Sequence, residues 1–475
     1  NIPTVEEWKE LCEKNGVCPY EATKSVLKHA DGAVVPYVFF FNPHIRKNLL
    51  DWMKVDIEDL VVIVDEAHNL PDYLRELAST SLSLFTLSGG LNEAAEFDDP
   101  LLANGVRARE FIGGLNEVLE GLVDEFVVDE DGFVPPQQLG EDLMFKFNTS
   151  SITLKKISTE LVNMGMLIKA QKGKRGGLPR SYLFSIGSFL EFWELVEPDE
   201  FLKLAHLEGG GALEAFCLDP SKLSNVLNQT HFSLHMSGTL SPLEEYRDSL
   251  GLKNAKLKKV PSPFSKENRL CLYDMRFTTA HERMSKDFDM QKKITTEIVS
   301  ILKGSFVNTG VFFTSFSMLE NVGKDVMSRV PVRNFFIENR GASHSKTASV
   351  LDRFKASNGG VLLSVMGGRL SEGIDFPGKE MEMAIIVGVP FPKPTARSKG
   401  LIRYYDLKFQ RGWEYVVRTP AARRLAQTAG RLIRSETDRG VVILLDDRGG
   451  RFKDVLELTA TETPLRLVRT FLGQR

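Results

Sequence analysis

The 475-residue sequence is poor in cysteine, has no long apolar run and carries no large surplus of either charge. Four cysteines are too few for a disulfide framework in a chain of this length, which points to a reducing compartment. No stretch reaches the roughly eighteen consecutive apolar residues that cross a bilayer. The first residues show no signal-peptide pattern, so the cytoplasm is expected, or the nucleus in a eukaryote. A net charge of −3 excludes a uniformly basic coat but leaves room for a local basic groove. No repeat of solenoid length and no low-complexity tract occurs.

What is present is an ordinary globular composition, 42% hydrophobic and 26% charged, in a chain long enough for roughly three domains. It opens on Asn1 and runs at once into a helical pattern over 5–14, so residue 1 is expected to lie inside a longer protein. An apolar run over 33–41 leads to Asn42-Pro43, a turn or helix start. Residues 60–64 form a continuous aliphatic strand of the kind buried in a parallel sheet. Over 81–216 the apolar spacing becomes helical and acidic residues accumulate, as in an insertion with its own core. Within it an amphipathic helix (154–166) precedes a basic turn of Lys169, Lys172, Lys174, Arg175 and Arg180, then a strand-like 182–186. Sheet pattern resumes at 231–236, and Pro261-Ser262-Pro263 reads as a linker. Beyond it, strands at 311–314, 360–364, 384–389 and 440–445 alternate with helical segments, the signature of an α/β domain with a parallel sheet.

Four constellations carry chemistry. Asp65-Glu66-Ala67-His68 follows a buried strand directly, and ligands of open α/β sheets bind beyond the carboxyl ends of strands. One carboxylate there can hold magnesium on a nucleotide's phosphates while its neighbour orients the attacking water; the bland alternative is an acidic cap on the next helix. Gln427, Gly430, Arg431 and Arg434 lie in a helical pattern that puts Gln427 and both arginines on one face, with Gly430 admitting a neighbouring backbone. Two such arginines can neutralise charge on a transferring phosphoryl group, or they can be a solvated basic face. Gly367-Gly368-Arg369-Leu370-Ser371-Glu372-Gly373-Ile374-Asp375-Phe376 follows another strand. Its amides can hold phosphates, and Asp375 can accept from a ribose hydroxyl or fix an arginine, unless the segment is a plain glycine-rich loop. Ser237-Gly238-Thr239 also follows a strand; its hydroxyls are poised to bond carboxylates, or Thr239 or Ser241 caps a helix ahead of Pro242.

In this order, the motifs resemble the superfamily 2 DNA helicases of the XPD type, over nearly the whole chain and least in the 81–216 insertion. Asp65-Glu66-Ala67-His68-Asn69 resembles the family's magnesium and water-activating motif. Ser237-Gly238-Thr239 resembles the motif that couples hydrolysis to domain movement. Ser371 to Phe376 and Gln427 to Arg434 resemble its second-domain motifs, Asp447-Arg448 after the last strand also fits, and Cys18-Pro19-Tyr20 resembles its last cluster cysteine. The resemblance implies an α/β protein of two RecA-like parallel-sheet motor domains, nucleotide in the cleft between them, a mainly helical arch insertion and the remnant of an iron–sulfur domain. The corresponding boundaries are 1–22 for the cluster domain, 23–82 and 217–260 for the first motor domain, 83–216 for the arch and 261–475 for the second motor domain. Implied functional residues are Asp65, Glu66, His68, Gln427, Arg431 and Arg434 for catalysis, and Ser237, Gly238, Thr239, Glu372, Gly373 and Asp375 for nucleotide binding and coupling. ATP, Mg2+ and a [4Fe-4S] cluster are the implied cofactors. A monomer moving 5′ to 3′ on single-stranded DNA, acting on fork or bubble DNA in nucleotide excision repair with repair proteins as partners, is the implied activity.

The sequence departs from the family in two places. No Gly-x-x-x-x-Gly-Lys-Ser/Thr occurs: Gly173-Lys174, Gly323-Lys324 and Gly378-Lys379 continue with Arg, Asp and Glu. Without that loop the phosphates lose their main cradle, and the expectation is that it precedes residue 1. A cluster needs four thiolates, whereas only Cys12 and Cys18 lie near each other, and Cys12 can equally be a buried helix cysteine. DNA would be held mainly through phosphates, with the Lys169–Arg180 turn as one basic patch. Its surroundings over 152–186 also read as a winged helix, against a solvated charged loop. Phe39, Phe40, Phe41, Tyr404 and Tyr405 can stack bases or fill a core. Two other classes compete with the enzyme: a DNA-binding repair or transcription scaffold with dispensable hydrolysis, and a winged-helix regulator centred on 152–186.

Overall fold

The computed structural model describes residues 3–287, 289–368, 370, 374–433 and 435–473. Arg369, Ser371, Glu372, Gly373 and Arg434 therefore lie outside the described residues. The chain divides into two compact units: one runs to Lys256 and also takes Lys393–Gly412, the other comprises Leu257–Pro392 and everything from Trp413 on.

In the first unit the described strands are β1 (Val61–Val64), β2 (Thr80–Ser83), β3 (Asp131–Phe133), β4 (Phe201–His206), β5 (Ala212–Cys217) and β6 (Phe232–His235). Asn42 caps the Pro43–Met53 helix by accepting from the His44 and Ile45 amides, so Asn42-Pro43 is the helix start that the sequence suggests. β1 pairs in parallel with β6, Val64 opposite His235. The expected burial of β1 holds on one face only. Val62 and Val64 join a core with Phe40, Phe41, Leu70 and Leu74, whereas Val61 and Ile63 stand 60% and 61% exposed beside exposed Phe232 and Leu234. Nothing among the described residues covers that second face.

The insertion is more sheet-like than its composition suggests. β2, β5, β4 and β3 form an antiparallel four-stranded sheet in that order. The helices Leu84–Glu96, Ala108–Phe126, Ser151–Lys174 and Tyr182–Leu195 share a core with it around Phe111, Leu161, Phe189 and Trp193. Fully burying each of these large side chains contributes about 1.5–3 kcal/mol.

The strand expected over 182–186 is instead the start of the Tyr182–Leu195 helix. Ser181 caps it through the Phe184 amide, and Leu183, Ile186, Leu190 and Trp193 return at helical spacing to the buried side. Two glycines let this helix lie against Ser151–Lys174: a Cβ on Gly165 would sit 2.3 Å from the Phe184 nitrogen, and one on Gly187 would sit 2.7 Å from the Ser158 oxygen. The basic turn thus joins two helices, and the winged-helix pattern is absent among the described residues.

The second unit contains β7 (Arg269–Asp274), β8 (Thr309–Phe313), β9 (Phe335–Ile337), β10 (Val361–Val365), β11 (Met383–Val387), β12 (Gly440–Leu444) and β13 (Thr459–Thr461). They form one sheet in the order β13-β7-β12-β11-β8-β10-β9, with every pairing parallel. β8, β10, β11 and β12 are buried along their whole length, which is why their sequences are mostly apolar on both faces. A buried cation ties the sheet's neighbours together. Arg333 donates to the carbonyls of Leu302 (2.8 Å), Ser305 (2.9 Å), Val307 (2.6 Å) and Gly359. Burial pulls its pKa down to about 10.

Candidate nucleotide-hydrolysis site

The parallel pairing of β1 and β6 brings their carboxyl ends side by side, and backbone hydrogen bonds stitch the two following loops together. The Met236 amide donates to the Val64 carbonyl at 3.0 Å, and the Ala67 amide to the Met236 carbonyl at 3.0 Å. Asp65 and Glu66 thus leave β1 beside Ser237, Gly238 and Thr239 as they leave β6. Glu66 has φ 45° and ψ 41°, a left-handed conformation unusual for a residue with a Cβ and costing of order 1–3 kcal/mol. That kink turns the chain into the short Ala67–Asn69 helix and the Leu70–Ala78 helix behind it.

Side chains then close a small network. Ser237 Oγ lies 2.8 Å from His68 Nδ1, donates to Glu66 Oε2 at 3.3 Å and accepts from the Thr239 amide at 3.1 Å. His68 is largely buried while the Glu66 carboxylate stands in solvent. Asp65 Oδ1 accepts from the Glu66 amide at 2.9 Å, and the Asp65 carbonyl accepts from the Tyr37 hydroxyl at 2.5 Å. Burial and the neighbouring Asp65 and Glu66 charges raise the Tyr37 phenol's pKa. No sequence signal singled out Tyr37 from the apolar run around it. The helix after Ser237-Gly238-Thr239 is Leu243–Leu250, with Pro242 at its N-cap and no side-chain cap, so neither Thr239 nor Ser241 caps it.

An exposed aspartate beside a second carboxylate suits Mg2+, which keeps several waters and takes one or two carboxylates plus phosphate oxygens. Among the described residues no group of three or more His, Cys, Asp or Glu could enclose a metal alone. The cysteines do not supply a four-thiolate set. Cys12 is buried in the Val5–Lys14 helix and Cys18 is exposed at the N-cap of Pro19–Leu27, while Cys217 and Cys271 are buried in β5 and β7.

In the second unit the Thr419–Gly430 helix carries Gln427 and ends with Arg431 as its C-cap. Arg434, expected on the same face, lies outside the described residues. Arg431 is buried and donates to the Ile374 carbonyl at 3.2 Å, fastening this helix to the segment before Asp375. A Cβ on Gly430 would meet nothing within 4 Å among the described residues, so no close backbone approach requires this glycine. Asp375 is exposed, and its carbonyl accepts from Lys355 Nζ at 2.6 Å.

The basic turn is partly absorbed by packing. Lys172 pairs at 2.6 Å with buried Glu93, which also accepts from Ser181 Oγ and the Leu183 amide, and Lys169 Nζ sits 3.5 Å from the centre of the Phe184 ring. Lys174, Arg175 and Arg180 remain exposed. Phe40, Phe41 and Tyr405 are buried and belong to cores.

One unit holds an all-parallel sheet and the other an acidic turn at a strand's carboxyl end, an arrangement that fits a superfamily 2 helicase. The family comparisons agree: residues 1–87 match the family DEAD_2, 90–297 the helical and beta-bridge domain, and 298–455 the helicase C-terminal domain. Among curated relatives, the ATP-dependent DNA helicase XPD of Sulfolobus acidocaldarius is 25% identical over 94% of this chain and 75% of its own length. The ATP-dependent DNA helicase CHL1 of Coccidioides immitis is 24% identical over 94% of this chain and 58% of its own. The Fanconi anemia group J protein homolog of Gallus gallus is 25% identical over 94% of this chain and 41% of its own. The chain thus spans between about two fifths and three quarters of these relatives. In fold it is similar to the S. tokodaii Xpd4 structure, with a TM-score of 0.66 at 19% identity over 90% of this chain and 81% of that one. It is also similar to an XPD helicase structure, with a TM-score of 0.62 at 22% identity over 96% and 78%. The chain belongs to the XPD-like superfamily 2 helicases.

Proposed function

We propose that this chain works as an ATP-dependent DNA helicase that travels 5′ to 3′ on single-stranded DNA in DNA repair. The observation that carries the reading is the Glu66–Ser237–His68 network across the ends of β1 and β6. In it Asp65 would hold Mg2+, whose charge helps neutralise the phosphates when bound. Glu66 orients the attacking water and takes its proton, with the side chain kept in place by Ser237. His68 reads the same serine from its buried side and passes the state of Glu66 to the segment leading into the Leu70–Ala78 helix. Gln427, Arg431 and, by resemblance, Arg434 address the transferring phosphoryl group, while Glu372 and Gly373 serve nucleotide binding and coupling by resemblance. Asp375 serves the nucleotide's ribose or fixes an arginine.

DNA phosphates are the ligands for exposed Lys174, Arg175 and Arg180, whereas Lys169 and Lys172 act mainly in packing. Cys12 and Cys18 are cluster ligands only together with two further thiolates. The relatives' names, which include ATP-dependent DNA helicases, support the activity. Among the described residues no helix is long and apolar enough to cross a membrane.

The test is strand displacement on forks with a single tail. The full protein should open duplexes bearing a 5′ tail in an ATP-dependent manner and leave 3′-tailed duplexes closed. Opening of 3′-tailed duplexes would overturn the direction. DNA binding with no ATP-dependent opening of either would favour the scaffold.

A further inference from the structure

The Ala396–Phe409 helix lies, in sequence, between β11 and the Thr419–Gly430 helix of the second unit, yet its segment Lys393–Gly412 packs within the first unit. It is fastened along its whole length. Asp131 accepts from the Ala396 amide at 2.6 Å and the Arg397 amide at 3.0 Å, placing a carboxylate on the helix's positive end. Arg397 pairs with Glu214 at 2.5 Å, and Lys408 with Asp219 at 2.8 Å. In the middle, a Cβ on Gly400 would come within 2.2 Å of the Leu202 side chain, so this helix rests directly on β4.

At the far end the contact is of a different kind. Arg75, from the Leu70–Ala78 helix that follows the acidic turn, is buried, and its Nη2 donates to the Tyr405 hydroxyl. That hydroxyl donates to Ser249 Oγ at 2.9 Å, and Ser249 Oγ donates to Glu245 Oε1 at 3.0 Å. Ser249 and Glu245 lie on the Leu243–Leu250 helix, which follows the Ser237-Gly238-Thr239 loop. Asp72 holds the other arm of Arg75 at 2.5 Å. Burial works against the charge on Arg75, but Tyr405, Asp72 and Glu245 more than restore it. One phenol thus joins the two helices leaving the two candidate site loops to a helix whose ends continue into the second unit.

We propose that Arg75 and Tyr405 form a coupling latch: positioning residues that transmit the state of the Glu66–Ser237–His68 network to the Ala396–Phe409 helix, converting hydrolysis into strand separation. This rests on the ATP-driven helicase reading. A directional chain of buried hydrogen bonds suits the role, because loss of the Tyr405 hydroxyl takes a partner from the buried Arg75 cation and favours a second arrangement.

The test compares the full protein with its Tyr405→Phe and Ser249→Ala variants. Each removes one hydroxyl from the chain and leaves the aromatic or helical packing in place. DNA-stimulated ATP hydrolysis and base pairs separated per ATP are measured on the same samples, after matched thermal unfolding confirms that they fold. The latch predicts hydrolysis within about twofold of the unaltered protein and a loss of roughly threefold to thirtyfold in base pairs per ATP, the range expected when a coupling element is cut. Base pairs per ATP unchanged in both variants, or hydrolysis and unwinding falling in equal proportion, would overturn the latch alone. Absence of hydrolysis in the unaltered full protein would instead overturn the helicase reading on which it rests.

Discussion

His68 Nδ1 lies 2.8 Å from Ser237 Oγ, although 169 positions separate the two residues in sequence. The contact exists because β1 and β6 are parallel neighbours, so the residues just past their carboxyl ends meet. The same serine reaches Glu66 Oε2, which makes Ser237 the hinge of the proposed water-activating group. Ser237→Ala is expected to slow DNA-stimulated ATP hydrolysis by up to about tenfold, the worth of one net hydrogen bond, with nucleotide affinity nearly unchanged. Steady-state kinetics separate the two effects: a raised KM with kcat intact would place Ser237 in binding instead.

In the proposed mechanism Arg431 addresses the transferring phosphoryl group. Arg431→Ala is expected to lower kcat at least about a thousandfold, as loss of an arginine finger does, and to change the DNA dissociation constant by no more than about threefold. Because Arg431 also donates to the Ile374 carbonyl, Arg431→Lys serves as the partner variant that keeps the charge. A filter-binding titration showing a DNA defect of the same size as the kinetic one would remove Arg431 from the catalytic group.

Arg333 is a stability element. Its guanidinium satisfies four carbonyls between Leu302 and Gly359, so Arg333→Met leaves several buried acceptors without donors. Each such acceptor costs about 1–3 kcal/mol, and a loss of about 3 kcal/mol or more in unfolding free energy is expected. Urea unfolding of the second unit measures it.

His235 gives a pH signature. Its Nδ1 lies 2.6 Å from the Tyr246 hydroxyl and its Nε2 3.0 Å from Ser233 Oγ, and burial pulls its pKa from 6.5 down to about 4. Between those values the unfolded chain binds the proton and the folded one does not. The contribution of His235 is therefore fully present above pH 6.5 and is lost as pH falls toward 4. The size is on the order of 3 kcal/mol. His235→Gln should flatten that part of the stability profile, and an unchanged slope would mean that another group titrates there.

How much of this could be read in advance follows from the residues. Four strands of the second unit, β8, β10, β11 and β12, were legible because they are buried on both faces and mostly apolar, whereas β7, β9 and β13 were not. The sheet of the insertion was not. β3 is Asp131-Gly132-Phe133 and β4 contains Lys203 and His206, so neither shows an apolar alternation. Residues 182–186 misled for the opposite reason: Tyr182, Phe184 and Ile186 favour strands, but Ser181 caps a helix and Gly165 and Gly187 admit its neighbour. Asp65, Glu66 and Ser237 could be proposed from their positions after strands, whereas Tyr37, Arg75 and Tyr405 acquire meaning only once distant segments pack together. No spacing rule links Arg75 to a tyrosine 330 positions away.

The central claim is that Glu66 activates water for ATP hydrolysis. The most direct measurement is DNA-stimulated ATP hydrolysis by the full protein beside its Glu66→Gln variant, with nucleotide binding followed on both. The account predicts that the variant binds nucleotide nearly as well and that its turnover falls to background. Equal hydrolysis in the two proteins would contradict it.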